Sequence, residues 1–200
     1  MKVDYSEYLG KDYVYRYDKC GIQVSNHLSV MDVPHCLYLD ECSKSFMGKK
    51  ESMEKPLIGR LVRPFDSVMV ARDTRDPADR KAAINAILER AEAGEKGERP
   101  PLMIWPEGCS TNGEYVVSFK KGAFTHLRPV KPFSCKTWSI GGVSPNDAGG
   151  MSMFALINMS IGSIWGFDIK EMPVFEPNEY FWKHHWDGKE PKWEAYARVV

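Results

Sequence analysis

The sequence has no surplus of charge of either sign: 27 Lys and Arg stand against 27 Asp and Glu in 200 residues. That balance excludes a strongly basic nucleic-acid binder and an acidic solvating tail. Paired cysteine motifs are lacking too. The five cysteines (Cys20, Cys36, Cys42, Cys109, Cys135) are irregularly spaced and include no C-x-x-C pair, so neither a metal site nor a disulfide framework is expected. Their reading is a reducing, cytosolic setting. Met1 to Lys19 alternates tyrosines with charges and has no apolar core of a signal peptide. No internal repeat is visible. Long uncharged runs are also scarce. The one present, Ala148 to Phe167, matches a membrane span in length, but four glycines, three serines and Asn158 dilute it. Met151 to Ile161 therefore reads as a buried or interface-facing amphipathic segment. What remains is 43% apolar and 12% aromatic, the composition of one globular domain with one core.

Cys20 to Asn26 reads as a short strand ending in polar turn residues, and from Ser29 the pattern of Val33, Leu37 and the run Cys36 to Leu39 suits a helix whose first turn holds Asp32. Pro34 is tolerated there because first-turn amides have no intrahelical partner. Lys49 to Lys55 reads as a charged loop or short helix, and Ser67 to Ala71 as a strand. The clearest helix begins at the cap Asp76 with Pro77 at its first position. Its apolar stripe is Ile84, Ile87, Leu88 and Ala91, with Gly94 as the expected stop. Leu102 to Trp105 is apolar throughout, as in a strand covered on both faces. Val130 to Cys135 and Met172 to Phe175 read as strands, and Lys192 to Val200 as a helix. The alternation predicts an α/β fold: a layered domain with a mixed, partly parallel sheet flanked by helices.

Two clusters carry chemistry. His27 and Asp32 lie five residues apart across a strand end and a helix start. If the carboxylate holds one ring nitrogen, the other is free to take a proton from a bound hydroxyl; otherwise the pair serves a loop and a helix dipole. The second cluster, Trp105-Pro-Glu-Gly-Cys-Ser-Thr-Asn-Gly113, is a buried strand opening into a turn rich in glycine and hydroxyls. It reads as a tight turn or as a loop for a phosphate or polar head group. Arg72, after an apolar strand, stands where open α/β sheets present ligand contacts.

Together these blocks resemble the glycerolipid acyltransferase family, nearest to its lysophosphatidylcholine acyltransferase branch. Val24 to Asp32 is similar to the N-H-x-x-x-x-D block, and Phe65 to Arg72 to the block that ends in arginine. Pro106 to Asn112 with Phe119 to Phe124 is similar to the third block, and Val130 to Ser134 to the fourth. Lys49 falls on the lysine of the stretch between the first two. The resemblance implies the glycerolipid acyltransferase fold and direct transfer of an acyl group from acyl-CoA to a lysophospholipid hydroxyl. His27 would be the base and Asp32 its orienting partner, with acyl-CoA as co-substrate, no other cofactor and no metal. Asn26, Lys49, Arg72, Glu107, Gly108, Cys109, Ser110, Thr111 and Lys120 would line the substrates.

Two features depart from the pattern. Cys109 occupies a threonine position, and Ser110 stands where phosphatidate-forming members carry arginine. The second departure favours an acceptor that already bears a head group. The expected partners are acyl-CoA, a lysophospholipid and a membrane surface, with no nucleic acid. The expected location is the cytosolic face of the endoplasmic reticulum or another endomembrane. Residues 1–200 are read as one acyltransferase domain lacking N-terminal anchors and cut at its C-terminus. Membrane contact is expected on Met151 to Phe167 and on Tyr180, Phe181, Trp182 and Trp186. The competing readings are an acyl-thioesterase using Cys109 or water, and an inactive lipid-binding domain.

Overall fold

The computed structural model describes residues 3–18, 20–29, 31–38, 45–54, 59–60, 63–71, 76–140, 146 and 164–200. Among these residues, six strands form one sheet: β1 (Ile22–Ser25), β2 (Ser45–Lys49), β3 (Val68–Val70), β4 (Leu102–Ile104), β5 (Val130–Ile140) and β6 (Ile164–Glu171). Their order is β3-β2-β4-β1-β5-β6. All neighbours run parallel except β5 and β6, which are antiparallel. This is the mixed, partly parallel α/β sheet expected. The register Val24↔Ile104 brings the C-terminal ends of β1 and β4 to one level. The loops that follow, one with His27 and one with Glu107, therefore meet although 80 residues separate them.

The helices are α1 (Ser6–Leu9), α2 (Asp32–Tyr38), α3 (Pro77–Glu95), α4 (Glu179–His185) and α5 (Lys192–Val199). Helix α3 starts as its sequence dictates, with the Asp76 carboxylate accepting from the Ala78 amide at 2.8 Å and Pro77 at the first position. Ile87 and Ala91 from the predicted stripe are buried against the sheet. The expected stop at Gly94 is corrected, because that residue lies inside the helix and packs on the chain at Gly21. A Cβ on Gly21 would stand 2.0 Å from the Ala91 carbonyl oxygen, so only glycine lets this helix lie so close to the sheet. The left-handed residue after the helix is Gly97, at φ 74°.

Two further expectations are corrected. Residues 172–175 form no strand; the strand is β6, just before them, and Phe175 makes only an isolated bridge to Val130. Pro173 has no amide to give, and Val174 donates to the Arg16 carbonyl instead of a ladder partner. Phe181 is fully buried in the main core beside Phe175 and Tyr196, with Trp182 packed against it. The tail aromatics Phe181 and Trp182 thus hold α4 onto the domain, and of that group Tyr180 is exposed. Among the described residues, no helix is long and apolar enough to cross a membrane. Arg72 and Met151 to Ile161 lie outside the described residues.

Candidate active site

His27 lies two residues beyond the end of β1, and the first turn of α2 returns Asp32 to it. Asp32 Oδ2 lies 2.7 Å from His27 Nδ1 and accepts the amides of Leu28 at 2.8 Å and Ser29 at 3.2 Å. An oxygen already receiving two amide protons faces a ring nitrogen as an acceptor, so Nδ1 carries the hydrogen. In the neutral ring, the free lone pair then sits on Nε2. The carboxylate is buried at 4% exposure, whereas the imidazole retains 22%. A shielded orienting group and an accessible ring is the arrangement a general base needs.

Three further contacts fix the histidine's backbone. Glu107 Oε2 accepts the His27 amide at 2.5 Å. The Thr111 amide donates to the His27 carbonyl at 2.9 Å, and the Thr111 hydroxyl lies 3.4 Å from the same oxygen. One residue earlier, Asn26 pairs both ends of its side-chain amide with Cys135 on β5: Nδ2 donates to the carbonyl at 2.9 Å and Oδ1 accepts the amide at 2.8 Å. Trp105, at the end of β4, backs the imidazole with ring centroids 5.3 Å apart and planes at 30°.

The structure redistributes the roles expected of these residues. Glu107 is 1% exposed, and its second oxygen accepts the Val117 amide at 2.9 Å. Its carboxylate therefore bridges two backbone amides, one in each loop, and is turned away from solvent. Asn26 likewise spends its polar atoms on the β5 backbone. In this structure both side chains bond backbone groups of the frame that holds His27. Trp105 and Cys135 were not singled out from sequence for this frame. One acts through a ring face and the other through its backbone, and neither leaves a motif.

Lys49, Gly108 and Lys120 come together elsewhere, at a cleft of about 280 Å3 between α3 and the strand ends. Trp105 also lines this cleft, so the ring that backs His27 forms its near wall. Met47, Val70, Ile84 and Ile87 contribute apolar surface. Among the described residues, the charged lining side chains are Lys49, Arg80, Lys120 and Lys121, and none is acidic. Gly108 is left-handed at φ 75°, and a Cβ there would meet Lys120 Nζ at 2.5 Å. The lysine therefore lies directly over the turn after Glu107. Cys109 is exposed; Ser110 and Thr111 are half-buried. Among the described residues, no group of three His, Cys, Asp or Glu side chains is placed to hold a metal ion.

The profile of the family described as Acyltransferase matches residues 6–136, more than half of the chain. The chain belongs to the acyltransferase family. Its curated relatives place it with the glycerolipid acyltransferases, near the lysophosphatidylcholine acyltransferase branch. Lysophospholipid acyltransferase LPEAT1 of Arabidopsis thaliana is 34% identical over 120 residues, covering 60% of this chain and 29% of the relative. Human lysophosphatidylcholine acyltransferase 2 is 38% identical over 105 residues, covering 50% and 19%. Human lysophosphatidylcholine acyltransferase 1 is 28% identical over 159 residues, covering 73% and 28%. The chain thus spans less than a third of the length of each of these relatives. Among solved structures, the 1-acyl-sn-glycerophosphate acyltransferase PlsC from Thermotoga maritima aligns with a TM-score of 0.47 at 22% identity, covering 100% of this chain and 68% of that one.

Proposed function

We propose that this acyltransferase moves a fatty acyl group from acyl-CoA to the free hydroxyl of a lysoglycerophospholipid, with His27 as general base. The observation that carries the reading is the 2.7 Å contact between His27 Nδ1 and the buried Asp32, which reserves Nε2 for the substrate proton. The acceptor oxygen attacks the thioester carbonyl as its proton passes to Nε2. The tetrahedral intermediate collapses with breakage of the C–S bond, and the departing thiolate takes up that proton. Asp32 steadies the transient imidazolium. A thiolate is a good leaving group, so the larger task is holding two substrates in one geometry.

The cleft supports a phosphate-bearing substrate: Lys49, Arg80, Lys120 and Lys121 supply positive charge above apolar walls. The substrates named for the relatives are lysophospholipids, which fits an acceptor of this chemistry. A membrane surface as partner is supported by Tyr115, Val116 and Val117, which stand 80%, 66% and 43% exposed in the loop after the hydroxyl cluster. Interfacial aromatic and aliphatic side chains of this kind suit the edge of a bilayer. A cytosolic face is supported by five irregularly spaced cysteines with no C-x-x-C pair.

The test supplies labelled acyl-CoA to the wild-type chain in detergent or vesicles, with and without a panel of lysophospholipids. The proposal expects labelled diacyl phospholipid that depends on the acceptor. Labelled free fatty acid released at the same rate without acceptor, or an acyl adduct on Cys109, would replace it with a thioesterase. Binding of vesicles without any turnover would replace it with a lipid-binding domain.

A further inference from the structure

We propose that Asn146 is a positioning residue, fastening the loop that carries Ser110 and Thr111 to β5 and thereby setting how tightly the acceptor is held. The inference rests on the acyl-transfer reading above. Asn146 lies far from the histidine block in sequence, yet its side chain bridges two parts of the site. Thr137 Oγ1 on β5 donates to Asn146 Oδ1 at 2.5 Å, and Asn146 Nδ2 donates to the Asn112 carbonyl at 2.6 Å. A carbonyl only accepts, so the Asn112 contact fixes which end of the amide faces the loop.

The loop is shaped to receive this contact. Gly113, next after Asn112, has φ 79°, and a Cβ there would meet Asn146 Nδ2 at 2.8 Å and Leu28 Cδ2 at 3.1 Å. A side chain at position 113 would be strained in its backbone and would push the asparagine away. Thr111, just before Asn112, gives its amide to the His27 carbonyl. The loop is thus gripped along both edges, by the base on one side and by β5 on the other. Strand β5 also anchors the residue before the base, because Cys135 holds Asn26 two residues ahead of Thr137. One strand therefore fastens both the residue before the base and the loop that carries Ser110 and Thr111. His27 is also held by Asp32 and Glu107, contacts that do not pass through Asn146, so opening the clamp is expected to free the loop and leave the base in place.

The experiment compares Asn146→Ala, Asn146→Asp, Thr137→Val and Gly113→Ala with wild type in the full chain. Asn146→Asp keeps the acceptor for Thr137 and replaces the donor to Asn112 with a carboxylate oxygen facing that carbonyl. It is expected to raise the KM for the lysophospholipid about five- to tenfold, the effect of one lost hydrogen bond, with kcat, the KM for acyl-CoA and the pH profile of kcat unchanged. Asn146→Ala combined with Thr137→Val is expected to act no more strongly than either alone. Amide exchange at Thr111 and Gly113 is expected to quicken in the Asn146 and Thr137 variants, with Tm lowered by no more than about 2–4 °C. An unchanged acceptor KM with unchanged exchange would overturn the inference, as would a fall in kcat with the acceptor KM preserved. Exchange is read without turnover. A wild-type chain that transfers no acyl group therefore counts against the acyl-transfer reading, while faster exchange still reports the clamp.

Discussion

Replacing Glu107 separates a frame role from a substrate-binding role. Its carboxylate accepts the His27 amide with one oxygen and the Val117 amide with the other, at 1% exposure. Glutamine retains one oxygen and presents an NH2 group in place of the second, so one amide faces a donor. The side chain should turn its oxygen to His27 and leave Val117, because that loop is exposed and its amide can recover a bond to water. A charge-assisted hydrogen bond contributes about 1.5–3 kcal/mol, so Glu107→Gln should cost roughly 2 kcal/mol. For a chain of this length each kcal/mol lowers Tm by about 2–4 °C, giving a fall of roughly 4–8 °C. Glu107→Ala removes both acceptors and leaves a cavity, so its loss should be about twice as large. Thermal unfolding followed by circular dichroism, beside acyl-transfer kinetics, measures both quantities. A Glu107→Gln variant with wild-type Tm and a raised acceptor KM would refute the reasoning, since the carboxylate would then be touching substrate.

Asp32→Asn still accepts from His27 Nδ1 but no longer steadies an imidazolium, so kcat should fall by about 10²–10⁴-fold while the KM for acyl-CoA stays near wild type. Steady-state kinetics check this, and a large change in KM with kcat preserved would argue against the dyad. Gly21→Ala would place a methyl 2.0 Å from the Ala91 carbonyl, between two backbones that cannot give way. It should destabilise the chain by at least about 3 kcal/mol in urea unfolding, and a cost below about 1 kcal/mol would contradict the close approach of α3.

What could be read from the sequence divides along a physical line. His27 and Asp32 were legible because they sit five residues apart on one strand-to-helix corner, where local geometry alone brings them together. Helix α3 was legible from its cap, its proline and its apolar stripe. Frame contacts were not, because Asn26, Glu107 and Asn146 reach backbone atoms 80 to 109 residues or one loop away, and a backbone partner carries no residue signature. Glycines misled for a related reason. Gly94 read as a helix stop, but its use is contact with Gly21. Gly166 interrupts the apolar pattern of β6, and it is there because the Trp138 ring lies across it, within 2.5 Å of where a Cβ would stand. Each breaker was set by a neighbour distant in sequence.

The central claim is that His27 removes the proton from the acceptor hydroxyl. His27→Ala tests it most directly, assayed with labelled acyl-CoA and lysophospholipid against wild type at matched folded fraction. Acceptor-dependent transfer is expected to fall by about 10²–10⁴-fold while acyl-CoA binding is retained. Equal transfer by the two proteins would contradict it.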